Sequence, residues 1–305
     1  MNPSYKKHFP VMLPEVLQAL YPKDGEIYVD ATFGNGGYTE AILKTANCKV
    51  IAIDRDPTVL PRVKELKELY GERFDFRQGC FGDIQNIITE KVSGFVFDIG
   101  VSSMQLDNAE RGFSFSKSAP LDMRMSCSGI SAADIVNNTP EKELADIIYK
   151  YGEERKSRQI ANRIVNFRKN KPITTTTELA DIIYSVIHRT PNSIDPATRT
   201  FQALRIAVNG ELDELQNGLS SAVELLATKG RIVVVSFHSL EDRIVKNFFR
   251  DKSGNNANVS RYLPQNTVTN NAVLTDVSKA ITPSQNELEV NSRSRSAKLR
   301  WAIKI

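Results

Sequence analysis

Ile27-Tyr28-Val29-Asp30-Ala31-Thr32-Phe33-Gly34-Asn35-Gly36-Gly37-Tyr38-Thr39-Glu40 decides the fold. An apolar strand over 27–30 enters a glycine turn, a helical pattern covers 37–46, and a second apolar strand, Lys49-Val50-Ile51-Ala52-Ile53-Asp54, ends in an acid. An open α/β sheet builds a nucleotide pocket in this order. The glycines let backbone approach the ligand, and the terminal acid accepts from ribose hydroxyls. Asp54 follows Gly36 by 18 positions, close to the roughly 20 usual for such an acid.

The turn discriminates among adenosine ligands. A dinucleotide fingerprint reads G-x-G-x-x-G, but Thr39 holds the third glycine position, and no Gly-Lys-Ser/Thr of a P-loop is present. Asp30 and Glu40 flank the turn without a nearby cation, a poor setting for a pyrophosphate. S-adenosylmethionine carries no phosphate, and its ammonium and sulfonium are cationic, so an acid at the end of the first strand suits it.

Outward from this unit the alternation continues. Further strands are expected at 74–78 and 95–99, with helices at 57–70, capped by Asp56, and at 83–91. Continuous apolar strands separated by helices imply a parallel sheet covered on both faces. Residues 102–130 read as a long loop, and 131–208 as helical, with one helix starting at Thr139-Pro140 and Thr175-x-x-Glu178 forming a capping box. The sheet pattern resumes with helix 211–227, strand 231–236 and helix 239–251. Residues 252–292 read as a polar loop, and Ala297–Ile303 as a last strand. The expected organisation is therefore a discontinuous sheet domain, 1–106 with 209–305, interrupted by a loop and helical domain over 107–208.

With 305 residues, 41% apolar and 25% charged, the chain can bury a full core. Cys48, Cys80 and Cys127 lie far apart without C-x-x-C spacing, which indicates neither a disulfide framework nor a metal site and fits a reducing cytoplasm. No signal-peptide core follows Lys6 and Lys7, and no run approaches the roughly 20 apolar residues of a membrane span. A net charge of +4 leaves any nucleic-acid argument to local clusters.

Candidate chemistry gathers at strand ends. Asp30, Asp54 and Asp98 each close a strand, where open α/β sheets bind ligands. His238, after the 231–236 strand, has two readings, a general base or a bystander beside a helix capped by Ser239 with Asp242 at its third position. Residues 153–171 hold seven Lys/Arg against two Glu, with Arg155, Arg158 and Lys169 opposite an apolar face of Ile160, Ile164 and Phe167. Arg293, Arg295, Lys298, Arg300 and Lys304 form a second basic cluster, and Arg189, Arg199 and Arg205 a third. Beside a methyl-donor pocket, these suggest a polyanionic substrate.

Asp30-Ala31-Thr32-Phe33-Gly34-x-Gly36-Gly37, Asp98-x-Gly100-Val101-Ser102-Ser103-x-Gln105, Glu110-Arg111-Gly112-Phe113-Ser114-Phe115 and Pro120-Leu121-Asp122-Met123-Arg124-Met125 recur together in one family. So do Tyr151-Gly152-Glu153-Glu154-Arg155, Pro196-Ala197-Thr198-Arg199-Thr200-Phe201 and Ser236-Phe237-His238-Ser239-Leu240-Glu241-Asp242-Arg243. The chain resembles the bacterial 16S rRNA (cytosine-N4)-methyltransferases of the RsmH (MraW) type, from His8 nearly to the C-terminus. The resemblance implies a class I, Rossmann-like S-adenosylmethionine-dependent methyltransferase sheet with an inserted all-helical domain. It also implies a cytidine in the decoding region of 16S rRNA, naked or within the small ribosomal subunit, as target. Carried over by motif, the cofactor contacts are Gly36, Gly37, Tyr38, Asp54, Phe81, Asp98 and Gln105. Tyr38 stands where many members have His, Asn35 where they often have Arg, and Met104 where Pro is usual before Gln105.

Cytosine N4 is a weak nucleophile, so the reaction needs in-line placement and an acceptor for an N4–H. Asp98, Asp122 and His238 are the candidates for that acceptor. The RNA-binding candidates are Arg155, Arg158, Lys169, Arg199, Arg293 and Arg295. A nicotinamide-dependent dehydrogenase and a non-catalytic RNA-binding module are the alternative readings, and monomer or homodimer stays open.

Overall fold

The computed structural model describes residues 10–191, 193–254 and 272–305. Two compact units emerge, one from Met1–Gly100 with Leu212–Ile305 and one from Val101–Glu211. These bounds differ by a few residues from those read in the sequence.

The first unit is built on seven strands: β1 (Ile27–Asp30), β2 (Lys49–Asp54), β3 (Phe74–Gln78), β4 (Val92–Asp98), β5 (Leu226–Ser236), β6 (Leu274–Thr275) and β7 (Lys298–Lys304). Their order in the sheet is β3-β2-β1-β4-β5-β7-β6. β1 to β5 are parallel, whereas β7 runs antiparallel to both β5 and β6. This is the doubly wound, Rossmann-like sheet expected of a class I methyltransferase. The chain leaves β1 toward β2 and β3, then returns to β4 on the other side. The crevice beyond the ends of β1 and β4 is therefore the topological switch point, where such sheets bind ligands.

Alternate strand residues face opposite layers. Tyr28, Val50, Ala52, Val96, Val233 and Val235 pack under α1 (Leu13–Leu20), α2 (Gly37–Thr45) and α3 (Leu60–Tyr70). Val29, Ile51, Ile53, Phe95, Phe97, Ile232 and Val234 form the second layer with residues of α4 (Ile84–Ile87), α11 (Glu211–Leu225) and α12 (Ser239–Lys252). Burial on both faces explains why these strands read as unbroken apolar runs.

In the second unit, α5 (Ser103–Asp107) precedes α6 (Ala132–Asn138), α7 (Glu141–Gly152), α8 (Ser157–Arg168), α9 (Thr176–Tyr184) and α10 (Ala197–Asn209). Leu144, Ile148, Ile160, Ile164, Leu179, Ile183, Phe201 and Leu204 share its core. Gly152 lets α7 and α10 approach closely, because a Cβ there would lie 2.5 Å from the Arg199 carbonyl oxygen. The capping box at Thr175 and Glu178 is present.

Several expectations shift. α1 was not anticipated, although Pro14 in its first turn suits a helix start. The 83–91 stretch keeps only α4 as helix, after a 3-10 turn at Phe81–Asp83. β5 begins at Leu226, earlier than residue 231, because Leu226 pairs with Val92 before an irregularity in register. The loop over 102–130 contains α5 and a 3-10 turn at Ala109–Arg111. Within 252–292, residues 255–271 lie outside the described set, and the remainder contributes β6 and α13 (Gln285–Val290). Lys6, Lys7 and His8 also lie outside the described residues.

Candidate active site

The glycine turn is held by carboxylates, and the space its glycines leave is filled by protein. Gly36 adopts φ 72°, the left-handed region that suits glycine, and a Cβ on it would collide with Phe33 and Leu66. A Cβ on Gly37 would lie 2.3 Å from Pro10 Cγ, so this glycine admits the N-terminal segment. Tyr38 is buried, and its hydroxyl donates to the Val11 carbonyl. Its side chain thus ties that segment to α2, and any cofactor contact at this position falls to the backbone.

Asp30 is fully buried at the end of β1. Its Oδ2 accepts from the Thr39 hydroxyl at 2.7 Å and from the Thr39 amide, and Oδ1 accepts from the Thr32 amide. Burial pushes its carboxyl up to about 6, against the lowering effect of the Thr39 hydrogen bond. Thr32 in turn accepts from the Asp98 amide at 2.7 Å, linking the ends of β1 and β4.

Asp54, at the end of β2, accepts from the Gly34 amide at 2.7 Å and the Asp56 amide at 2.8 Å. Burial raises its carboxyl despite these bonds. The residue shapes the turn and keeps lone pairs for hydroxyl donors. Phe81 lies beyond the end of β3, its ring edge-on to Phe97 at 5.9 Å and packed with the second core layer.

Asp98 behaves differently. Its Oδ1 is shut off from solvent and accepts no hydrogen bond. Burial, then the charges of Asp30 and Glu241, push this carboxyl well above the ordinary range. A buried carboxylate without a donor is costly and is normally compensated. Among the described residues none donates to Asp98 Oδ1.

His238 follows β5 and forms the N-cap of α12, correcting the expected Ser239 cap. Its Nδ1 accepts from the Glu241 amide at 3.4 Å, and Glu241 Oε2 accepts from the amides of Phe237 and His238. The capping box is His238 with Glu241, one residue before the pair of Ser239 and Asp242. Asp242 instead binds Arg300 and Lys298, so part of the C-terminal basic cluster is neutralised.

In the second unit, Asp122 is clamped by Arg124 through its guanidinium and its amide. Burial would raise this carboxyl, but Arg124 outweighs it and pulls it below the ordinary range. Gln105 caps α5 reciprocally with Ser102, its Oε1 accepting from the Ser102 amide at 3.0 Å. Among the basic candidates, Arg155 and Arg158 are exposed with no ion pair among the described residues, whereas Lys169 bonds Asn166. Arg199 pairs with the buried Glu154 at 3.6 Å, and Arg205 with Glu211 at 2.8 Å. Phe167 is 36% exposed, so the apolar face of α8 rests on Ile160, Ala161 and Ile164. Arg293 and Arg295 are exposed in the first unit.

Of the sequence candidates, Gly36, Gly37, Asp54 and Asp98 lie at the C-terminal rim of the parallel strands, and Phe81 and His238 follow neighbouring strands. Thr32, Thr39 and Glu241 were missed. The spacing of Glu241, three residues after His238, was the available signal. Glu15 was missed too. It sits in the first turn of α1, and its Oε2 is buried without a hydrogen-bond partner. Nothing in the local pattern marks it.

A family model described as the MraW methylase family matches residues 5–305. Ribosomal RNA small subunit methyltransferase H of Paramagnetospirillum magneticum is 52% identical over 309 residues, covering 99% of this chain and 96% of the relative. The protein of that name from Rickettsia massiliae is 53% identical over 300 residues, covering 97% and 98% respectively. A match of this extent, on a sheet whose open carboxylate lies at the switch point, places the chain: it belongs to the MraW methylase family.

Proposed function

We propose that this chain transfers a methyl group from S-adenosylmethionine to N4 of a cytidine in the decoding region of 16S rRNA. The single observation that carries the chemistry is Asp98, whose buried Oδ1 has no donor among the described residues, at the switch point. Family membership supports methyl transfer, and the names of the relatives support small-subunit rRNA as substrate.

The residues fit the cofactor. Asp54 retains acceptor capacity for ribose hydroxyls, the turn at Gly36 and Gly37 offers backbone, and Asp98 offers a carboxylate to a cationic group. When bound, S-adenosylmethionine supplies an activated methyl on a sulfonium. Asp98 accepts the N4–H, which orients the nitrogen lone pair and takes the proton that N4 loses as its new bond to carbon forms. A carboxyl whose proton affinity is raised by burial suits this task. Asp122, already bound by Arg124, and His238, already capping α12, are poorer acceptors.

The sheet unit is assigned the methyl-transfer chemistry and Val101–Glu211 the recognition of RNA. Arg155 and Arg158 are its exposed contacts to phosphate, and Arg293 and Arg295 are the exposed basic contacts assigned on the sheet unit. The test is methylation of small subunits from a strain lacking the enzyme, with nucleosides analysed after digestion. N4-methylcytidine at one decoding-region position is expected. Methyl groups at another atom, or none, would overturn the reading.

A further inference from the structure

Pro10–Met12 crosses the start of α2 and is fixed there from three sides. Pro10 packs on Gly37, the Tyr38 hydroxyl holds the Val11 carbonyl, and the Met12 amide donates to Glu287 Oε1 at 3.2 Å. Met12 then takes the left-handed conformation, φ 52°, and turns the chain into α1. Val11, Met12 and Val16 are buried in the same core layer as Tyr38. The first turn of α1, which carries Glu15, is thereby fixed against the helix that leaves the glycine turn.

Four carboxylates, those of Asp98, Asp30, Glu287 and Glu15, act on the Tyr38 hydroxyl. Two are consumed by the protein, Asp30 by Thr32 and Thr39, and Glu287 by Met12. The other two each keep a buried oxygen without a partner, Asp98 Oδ1 and Glu15 Oε2. Among the described residues, no Lys or Arg pairs with any of the four. A buried carboxylate oxygen without a donor carries a desolvation cost that a cation with N–H donors would offset.

We propose that Glu15 is a second anionic contact for the methyl donor, sharing its ammonium group with Asp98. The ligand chemistry follows from donor count. A sulfonium has no N–H to give a carboxylate, and a cytosine amino group is neutral with two N–H groups. A primary ammonium carries three donors and a full charge, enough to satisfy both oxygens at once. This inference rests on the methyltransferase reading, with the ammonium-bearing end of the cofactor as its object.

Calorimetric titration of the full chain tests it, with S-adenosylmethionine, S-adenosylhomocysteine and 5′-methylthioadenosine, which lacks the amino-acid end. Glu15→Gln should weaken the first two at least tenfold and leave the third within twofold. The melting temperature without ligand should stay level or rise, because Glu15 Oε2 has no hydrogen bond to lose in the ligand-free chain. Unchanged affinity for the first two ligands would overturn the assignment. So would equal weakening of 5′-methylthioadenosine, or a lowered melting temperature, since each marks a structural role. If the unmutated chain bound none of the three, the methyltransferase reading itself would fall, and this inference with it.

Discussion

The Thr39 hydroxyl donates to Asp30 Oδ2 at 2.7 Å, inside a helix that begins two residues earlier. A glycine at that position would leave the buried carboxylate short of a donor. The residue that breaks the dinucleotide pattern is therefore the one that makes an acid tolerable at the end of β1. Thr39→Val keeps the shape and removes the donor, and is expected to destabilise the fold by about 1.5–3 kcal/mol. Thr39→Ser should lie much closer to the parent, with urea denaturation as the measurement.

Asp30 also predicts a pH dependence. Its folded carboxyl is raised to about 6 from an unfolded value near 4. The native state thus holds the proton more tightly, and the stabilising contribution is full below about pH 4 and lost as pH rises to about 6. A shift of this size corresponds to roughly 3 kcal/mol. In Thr39→Val, which weakens the ionised form further, the decline should extend to higher pH. Denaturation curves from pH 4 to 7 that superimpose for both proteins would contradict this.

His238 is expected to matter as a cap. His238→Asn supplies another good N-cap and should preserve both stability and single-turnover methyl transfer within about threefold. His238→Ala should cost about 1 kcal/mol of stability. A hundredfold loss of transfer in His238→Asn at parental stability would restore the general-base role.

Much of this architecture was legible because doubly buried parallel strands are continuous apolar runs, as at Val50–Ile53 and Phe95–Phe97. The rim acids were legible from their strand-end positions. Side-chain allegiance was not. Asp122, Arg199 and His238 look free in sequence, yet each is held by a partner, Arg124, Glu154 and Glu241. Only Glu154 lies far from its partner in sequence. The other two are local pairings that compete with a catalytic reading. The first turn of α1 was illegible for another reason, since only folding brings Val11 to Tyr38.

The same distinction separates two kinds of basic residue. Reversing Arg155 and Arg158 to Glu should weaken RNA binding and flatten its salt dependence, with cofactor affinity unchanged. Arg199→Glu should instead destabilise the helical unit, because it places a second acid against the buried Glu154. Salt titrations of RNA binding with parallel melting curves distinguish the two. A parental salt slope for the double variant would make that face merely solvated.

Asp54→Ala should weaken cofactor binding at least tenfold, since a charge-assisted hydrogen bond is worth about 1.5–3 kcal/mol. The structure adds a second effect. The Gly34 and Asp56 amides both donate to this carboxylate, so stability should fall as well. Asp54→Asn, which keeps one acceptor oxygen, should separate the two by retaining more stability than affinity. Calorimetry showing an unchanged dissociation constant in both variants would remove Asp54 from the binding site.

Asp98 carries the most demanding prediction. In the ligand-free chain, burial and then the charges of Asp30 and Glu241 raise the proton affinity of this carboxyl. A cation arriving beside it favours the carboxylate, so over the pH range where the ligand-free group holds a proton, cofactor binding should release it. The calorimetric enthalpy should therefore vary with the ionisation enthalpy of the buffer in the parent, and not in Asp98→Asn. The ionised group is then available to accept the N4–H. Asp98→Asn keeps the shape and one acceptor oxygen but cannot take a proton, and should lower single-turnover transfer at saturating cofactor by roughly 10²-fold or more. Near-parental transfer, with only affinity reduced, would leave Asp98 as a cofactor ligand and return the acceptor role to Asp122 or His238. The buffer dependence separates these cases before any RNA is added, because it reports the proton on Asp98 directly.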